Sequence, residues 1–448
     1  MRLFTKLVPT LALLAPLGCG SGTQSTPTTT QVATAPAPPA PPAEPPIAAA
    51  DPPKEEAKPE PPAPEPAPVP SAPGTAKELG KSVQRGLKWL ATHEATGGGW
   101  GQGDDAPNVR TNEPKGGANV ADTSVALLAF LRAGHTPAAG EHKLAVERGL
   151  GFVLSEIEAS DGDSLYVSAV RGTRVQAKIG QYVDTFAALM VLTEAKGKMK
   201  SPTENARLDA AMKKVVRKIE KNQKDNGSWD EKGWAPVLSQ ALAAKGMNRA
   251  AQAGAPVSKK VLERIEQQAK NGQMRSTGSA GVTLYGEATS AANVRDDAST
   301  KAVNAYKMKE AAKHAAPQPM AQSPGKTPTA AEVNAAEAEA SDAMKAAVAR
   351  ERELVAKLSD QRFVAGFGNN GGEEYLSYLL ISETLVQSRG AEWERWDAAI
   401  GKLVERVQNE DGSWVGHHCI TGRTFNTAAA LLVLMGDRTP VVHNTIAK

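Results

Sequence analysis

The chain has 448 residues, a formal net charge of +3 and an aromatic content of 4%. So weak a net charge offers no basic field to nucleic acid, and we predict no nucleic-acid partner. Its two cysteines are too few for a disulfide framework, so packing has to supply the stability of the fold.

The first residues of the chain have the pattern of a secretory signal peptide. Arg2 and Lys6 form a positive start, and residues 7–17 form an apolar run that is too short to cross a bilayer. Gly18 and Cys19 follow this run, which resembles the lipobox of bacterial lipoproteins. The resemblance implies that Cys19 is acylated, becomes the mature N-terminus and anchors the protein to a bacterial membrane.

Two neighbours of that cysteine bear on where the protein is placed. Gly20 is typical of lipoproteins that reach the outer membrane of a Gram-negative cell. Pro16 departs from the leucine that is usual in the lipobox, so cleavage by ordinary signal peptidase is the alternative. We expect an exported protein at the periplasmic face of the outer membrane or at the cell surface.

A proline-rich linker occupies residues 20–74. Eighteen of the 31 prolines of the chain lie between Pro27 and Pro73. Proline fixes the backbone and removes hydrogen-bond donors, so we predict a disordered, extended segment that packs no core. At about 3.1 Å per residue it can span at most ~170 Å. The folded domain is then predicted at 75–440, followed by a tail at 441–448.

A short phrase ending in Gly-Trp or Gly-Ser-Trp recurs in the folded part. Each copy follows an amphipathic helical pattern and precedes a more apolar one, which indicates one supersecondary unit used several times. The copies are Gly97–Trp100, Asn222–Trp229 and Gln408–Trp414.

Pairing an amphipathic outer helix with an apolar inner helix gives six helical hairpins. Gly246 is predicted to end the third inner helix, and a Pro- and Ala-rich stretch at 314–329 is predicted to be a disordered insertion. Asp122 and Asp184 open two inner helices and are predicted to be N-caps. The predicted pairs are 77–93 with 122–133, 141–157 with 184–195, 206–222 with 234–245, 258–271 with 281–309, 330–358 with 373–386, and 392–407 with 424–435.

Each residue type of the repeated phrase has a predicted role. The glycine takes the left-handed conformation that reverses the chain, and the acid bonds backbone donors of the turn. The tryptophan places its ring between hairpins, and the glutamine reaches the next helix terminus. These residues are Gly227 and Gly412, Asp225 and Asp411, Trp229 and Trp414, and Gln223 and Gln408.

The phrases at 223–229 and 408–414 resemble the QW repeat of squalene and hopene cyclases. The pattern at 122–131 resembles the inner helices of the same superfamily, which includes protein prenyltransferase β subunits. The resemblance covers most of residues 77–436. It implies an all-α chain folded as an α/α-toroid of six helical hairpins around a central cavity, in agreement with the hairpin count.

Cyclisation by the squalene-type enzymes uses an Asp-x-Asp-Asp acid motif. Asp296 and Asp297 are the nearest candidates here, but Val294 stands where the family has its first acid. We interpret them as two exposed helix acids beside Arg295, with catalysis as the alternative. Low aromatic content also disfavours a cavity that stabilises carbocations.

Protein prenyltransferases hold zinc with Asp, Cys and His. His417, His418 and Cys419 precede the sixth inner helix, and Glu373 and Glu374 open the fifth, so these groups are expected to meet at one rim of a toroid. The acids are also candidate catalytic groups. The Asp-x-Cys order of the family is absent, so we expect no cofactor, with zinc as the alternative.

A glycine-rich segment at 366–372 precedes the fifth inner helix. Gly371 and Gly372 allow a close backbone approach, so a ligand site is predicted there together with Tyr375 and the cation of Arg423. The alternative is a flexible joint followed by ordinary helix-start acids.

These features predict an exported, lipid-anchored toroid that has lost the parent catalysis. We expect it to bind an isoprenoid or acyl chain, or a protein partner, in its cavity or on its rim. The alternatives are a divergent zinc- or acid-dependent transferase or cyclase, and a protein–protein interaction scaffold. A ring centre without a cavity favours the scaffold.

Overall fold

A computed structural model describes residues 76–103, 117–230, 232–270, 283–314, 327–365, 367–368 and 371–440. The predicted signal peptide with Cys19, the predicted linker, most of the predicted insertion and the predicted tail lie outside these residues. Every regular element in the described part is a helix, so the prediction of an all-α chain is confirmed there. None of the helices described combines the length and apolar character needed to cross a membrane.

The described residues contain fourteen α-helices and one short 3₁₀ helix at Gly436–Arg438. The α-helices are α1 Lys81–Thr92, α2 Val120–Arg132, α3 Lys143–Ala159, α4 Arg174–Lys178, α5 Val183–Ala195, α6 Pro202–Lys221, α7 Pro236–Gln252, α8 Lys259–Lys270, α9 Thr283–His314, α10 Ala330–Leu358, α11 Gln361–Val364, α12 Glu374–Leu385, α13 Ala391–Arg406 and α14 Arg423–Leu434.

Six helices form the inner layer, namely α2, α5, α7, α9, α12 and α14. Each of them packs against the next in chain order, and α14 packs against α2, so the contacts form a closed circuit. All thirteen residues of α2 are buried, as expected for a helix surrounded by others on every side. The outer helices α1, α3, α6, α8, α10 and α13 each pack against one or two inner helices.

The three predicted tryptophans form the same joint. Each indole N–H donates to a backbone carbonyl ten residues earlier, in the preceding outer helix, at 2.8 Å. Each tryptophan backbone N–H donates to a side chain of the inner helix that follows, at 2.8 to 3.0 Å. The rings are buried and tie one hairpin together. The tryptophans are Trp100, Trp229 and Trp414, and the side-chain acceptors are Thr123, Gln240 and Thr427.

The glutamines of the phrase join one hairpin to the next outer helix. Gln408 Nε2 donates to the carbonyl of Ser82 in α1 at 2.9 Å, and Ser82 Oγ donates back to Gln408 Oε1 at 2.8 Å. Gly412 has a φ of +94°, as predicted, and a Cβ there would lie 2.8 Å from the Arg85 carbonyl. The last repeat is therefore fastened to the first helix of the domain.

One predicted role in the repeat, that of Asp225, is wrong. Asp411 accepts from the Ser413 N–H at 2.9 Å as predicted, but Asn226 takes this role in the other copy, because it directly precedes the glycine. Asp225 pairs instead with Arg264 at 2.5 Å.

Gly246 does not end the third inner helix, because α7 continues to Gln252. A Cβ at Gly246 would lie 3.2 Å from the Leu189 side chain, so this glycine lets α5 and α7 approach closely. Gly254, with a φ of +83°, follows the helix instead. The fourth inner helix also runs past its predicted end at 309, to His314.

Candidate functional site

Three metal-ligand types meet where α12 and α14 begin. Glu373 is fully buried, Cys419 is half-buried and His418 is exposed. One ligand atom from each of these residues lies within 4.8 Å of the other two. The adjacent starts of α12 and α14 therefore bring together residues that are more than forty positions apart in the sequence.

Two glycines allow these segments to touch. The Gly372 N–H donates to the Ile420 carbonyl at 3.2 Å, and a Cβ at Gly371 would lie only 2.4 Å from the His418 carbonyl. Cys419 has a φ of +55°, an uncommon conformation for a residue with a side chain. The glycines predicted to admit a ligand thus serve a close contact between two loops.

Burial governs the protonation of this cluster. Burial raises the pKa of the Glu373 carboxyl. Burial and the Glu373 charge raise the pKa of Cys419 to about 11, although the cation of Lys178 in α4 acts in the opposite direction. Tyr285 Oη donates to Glu373 Oε1 at 3.4 Å. Without a metal the cysteine is a thiol at neutral pH, so it is a poor nucleophile.

The donor set suits a borderline metal ion such as zinc. Zinc accepts thiolate sulfur, imidazole nitrogen and carboxylate oxygen, and three protein ligands leave its fourth position open. Zinc would also displace the thiol proton of Cys419. His417 is outside this group of three; its ring stands edge-on to that of His418, with centroids 4.4 Å apart.

The remaining candidates near the rim are engaged in packing. Glu374 accepts from Tyr378 Oη at 2.5 Å and from the Gly368 N–H at 3.0 Å. Tyr375 is stacked edge-on to Tyr378, with ring centroids 6.2 Å apart. Arg423 pairs with Asp411, in the turn that precedes Trp414, at 2.6 Å. The structure thus brings Glu373, His418 and Cys419 together. The side chains of Glu374, Tyr375 and Arg423 contact other partners instead.

Asp296 and Asp297 face different surroundings. Asp296 is 1% exposed and pairs with Lys245 at 2.7 Å, so the interpretation of an exposed acid is wrong at this position. The interpretation is also wrong at Asp297, whose side chain is only 14% exposed. Asp297 pairs with Lys301 at 3.1 Å and lines a groove of about 660 Å³ between α8, α9 and α10. Consecutive residues on a helix point about 100° apart, so these acids do not form a pair.

A buried network of charges, which we call the central charge cluster, was not predicted. It consists of Arg132, Glu194, Lys245, Asp296 and Glu383, from five inner helices. Glu383 bridges the two cations, at 2.5 Å from Arg132 and 2.8 Å from Lys245. Arg132 also pairs with Glu194 at 2.7 Å. The sequence signal that could have indicated this cluster is the presence of charged residues within largely buried helices, since a buried charge needs a partner.

Among the described residues, five of the inner helices line one small cavity. The cavity at their centre measures about 30 Å³, close to the volume of one water molecule. Val125, Leu128, Leu379 and Phe425 are among its apolar lining residues. Arg132, Lys245 and Glu383 also line it, so the cavity borders the central charge cluster.

Two comparisons with known proteins found no match to this chain. No protein-family model matches the chain, and a search of curated proteins finds none that is similar.

Proposed function

We propose that residues 77–436 form an α/α-toroid resembling the squalene cyclase and prenyltransferase superfamily, and that it acts as an exported, membrane-tethered scaffold for a protein partner. The closed circuit of inner-helix contacts and the three equivalent tryptophan joints support the toroid. The lipobox-like Cys19 and the proline-rich linker support the tether.

The size of the ring centre carries the functional part of this proposal. Pockets for small molecules have volumes of ~300–1,000 Å³, whereas the central cavity measures about 30 Å³. An isoprenoid or acyl chain does not fit there without repacking the inner helices. Val294, in place of the first acid, and the separate surroundings of Asp296 and Asp297 also disfavour cyclase chemistry.

The rim that contains His418 is the surface we assign to the partner. The domain begins at the opposite end, where the Lys77 N–H donates to Asp437 Oδ2 at 2.6 Å, just after α14. The rim loop precedes α14, a helix of 12 residues, which spans ~18 Å at 1.5 Å per residue. Lys77, the point where the described chain begins to contact α14, is thus about one helix length away from the rim loop.

Site-specific photo-crosslinking in cells that make the protein tests the scaffold. A photoreactive amino acid at exposed His417 is expected to capture one defined protein, whereas the same group at Leu144 on α3, which is 55% exposed, is expected to capture none. Equal capture at both positions would contradict a specific rim. A lipid that co-purifies in a one-to-one ratio and stays bound through a delipidation step would contradict the scaffold and support ligand binding.

The second candidate function is a zinc-dependent transferase, favoured by the cluster of Glu373, His418 and Cys419. We expect the purified protein, dialysed against zinc and then buffer, to retain about one zinc ion per chain by elemental analysis. Cys419→Ser and Glu373→Gln are expected to lose it. His417→Ala is the matched control and is expected to retain it. Wild-type protein without zinc would remove this candidate.

A further inference from the structure

Two buried carboxyl groups lie where the neighbouring helices α2 and α5 begin. Asp122 is 0% exposed and Asp184 is 3% exposed. Neither is the N-cap of its own helix, contrary to the sequence prediction, because Asn119 caps α2 and Tyr182 precedes α5. Asp184 Oδ1 instead accepts from the N–H of Ala121 at 2.9 Å, which holds it against the start of α2.

The hydrogen bonds of the pair indicate where a proton resides. Both oxygens of Asp184 accept from N–H donors, those of Ala121 and of the Gln176 side chain, which suits an ionised carboxylate. Asp122 Oδ2 accepts from Asn119 Nδ2 at 2.7 Å, but its buried Oδ1 has no hydrogen-bond partner among the described residues. A proton on Oδ1 makes the Asp122 carboxyl group neutral. The structure then does not bury a second negative charge next to Asp184 on an oxygen that lacks a hydrogen-bond donor.

Burial accounts for most of the resulting shift. It raises the pKa of Asp122 to about 7; the Asn119 hydrogen bond opposes this effect and the Asp184 charge adds to it. Burial also raises the pKa of Asp184, against the donors of Gln176 and Ala121 and the cation of Arg171. The charged group that acts on Asp122 is thus Asp184, from the neighbouring helix.

A segment that we call the strap, residues 160–182 with α4, connects this pair to the candidate site. Gln176 donates to Asp184 at one point of the strap, and Arg174 N–H donates to Gln102 Oε1 at 3.1 Å at another. The charges of Arg174 and Lys178 act on Cys419, so the strap lies beside the rim loop.

We propose that Asp122 and Asp184 form a proton-dependent latch that holds the strap closed against the start of α5, beside the rim loop. With one proton the pair has a single negative charge, which the donors of Ala121 and Gln176 satisfy. Loss of that proton leaves two buried negative charges, and opening of the strap hydrates them.

The sign of the pH dependence follows from linkage. In the open strap Asp122 regains its ordinary pKa of 3.8, whereas in the closed strap the value is about 7. The closed form therefore binds the proton more tightly. The stabilisation of the closed form by this proton, relative to the open form, is complete below pH 3.8. It declines as the pH rises and is lost by about pH 7.

Hydrogen exchange of the full chain, measured by mass spectrometry at pH 5 and pH 7.5 and corrected for intrinsic exchange rates, tests the latch. We expect the opening constant of the strap to rise at least about tenfold between these pH values, since one pH unit changes a proton-linked equilibrium by up to ten. Asp122→Asn mimics the protonated acid and is expected to remove most of the rise, because Asp184 then remains as the only buried acid of the pair.

Asp163→Asn is the matched control, because Asp163 is an exposed acid of the same strap that pairs with Lys221. It is expected to retain the pH dependence of the wild type. Exchange in α6 reports whether each variant is folded as a whole. A strap whose opening constant is equal at both pH values in wild type, or rises as much in folded Asp122→Asn as in wild type, would overturn the latch.

Discussion

Glu383→Ala is expected to lower the free energy of unfolding by about 1.5–3 kcal/mol, the usual contribution of buried hydrogen bonds to charged groups, because Arg132 keeps Glu194 and Lys245 keeps Asp296 as partners. Burial alone would raise the pKa of Glu383, but the cations of Lys245 and Arg132 hold it well below its usual range. These cations are only 2–3% exposed, so the variant leaves them without their shared anion.

Chemical denaturation at pH 7 measures this loss, with Glu353→Ala as the matched control. Glu353 pairs with Arg350 on α10, but its side chain is 62% exposed. A surface pair of this kind contributes about 0–1 kcal/mol. A loss of less than 1 kcal/mol in Glu383→Ala would show that water or a rearranged acid replaces the bridge.

Trp414→Ala is expected to cost about 3–5 kcal/mol, as for large buried aromatic residues elsewhere. The ring is 0% exposed, and its N–H donates to the Val404 carbonyl at 2.8 Å. It also packs against α1, since a Cβ at Gly86 would lie 2.9 Å from the ring. The variant therefore weakens both the sixth hairpin and its junction with the first.

Trp414→Phe separates ring volume from hydrogen bonding, because it keeps most of the apolar contact and loses the indole N–H. We expect it to recover more than half of the loss, leaving about 1–2 kcal/mol for the unsatisfied carbonyl and the smaller ring. Thermal or urea unfolding gives both values. Equal losses in the two variants would mean that the hydrogen bond, rather than packing, stabilises this joint.

The repeat made the helical hairpins predictable from local sequence. Trp100, Trp229 and Trp414 occupy equivalent joints because each follows a glycine that ends a turn between helices. The predicted fifth outer helix, 330–358, agrees with α10, whose start is set by the capping box of Thr329 and Glu332.

The central charge cluster was beyond local reasoning. Arg132 and Glu383 are 251 positions apart, and their contact exists only when the circuit of inner helices closes. The sequence could suggest that a charge within an apolar helix has a partner, but it could not identify that partner. The α4 strap was missed because a five-residue helix has too few residues to show a periodic pattern.

The candidate site was predicted in part. Placing the starts of the fifth and sixth inner helices together was enough to group Glu373 with His418 and Cys419. The choice between His417 and His418 depends on the loop conformation set by the positive φ of Cys419, which the residue type does not predict. Arg423 was predicted to lie in the site because the sequence does not reveal its ion pair with Asp411, which forms only in the folded chain.

The junction between Gln408 and Ser82 has a consequence for biosynthesis. These residues are 326 positions apart, so α1 leaves the ribosome first and meets its neighbour last. Such distant contacts slow folding, because closing a long loop costs entropy before any contact compensates for it. The part of α1 that packs against α14, at Gly86, stays uncovered until α14 is synthesised, which makes the nascent α1 a client for chaperones.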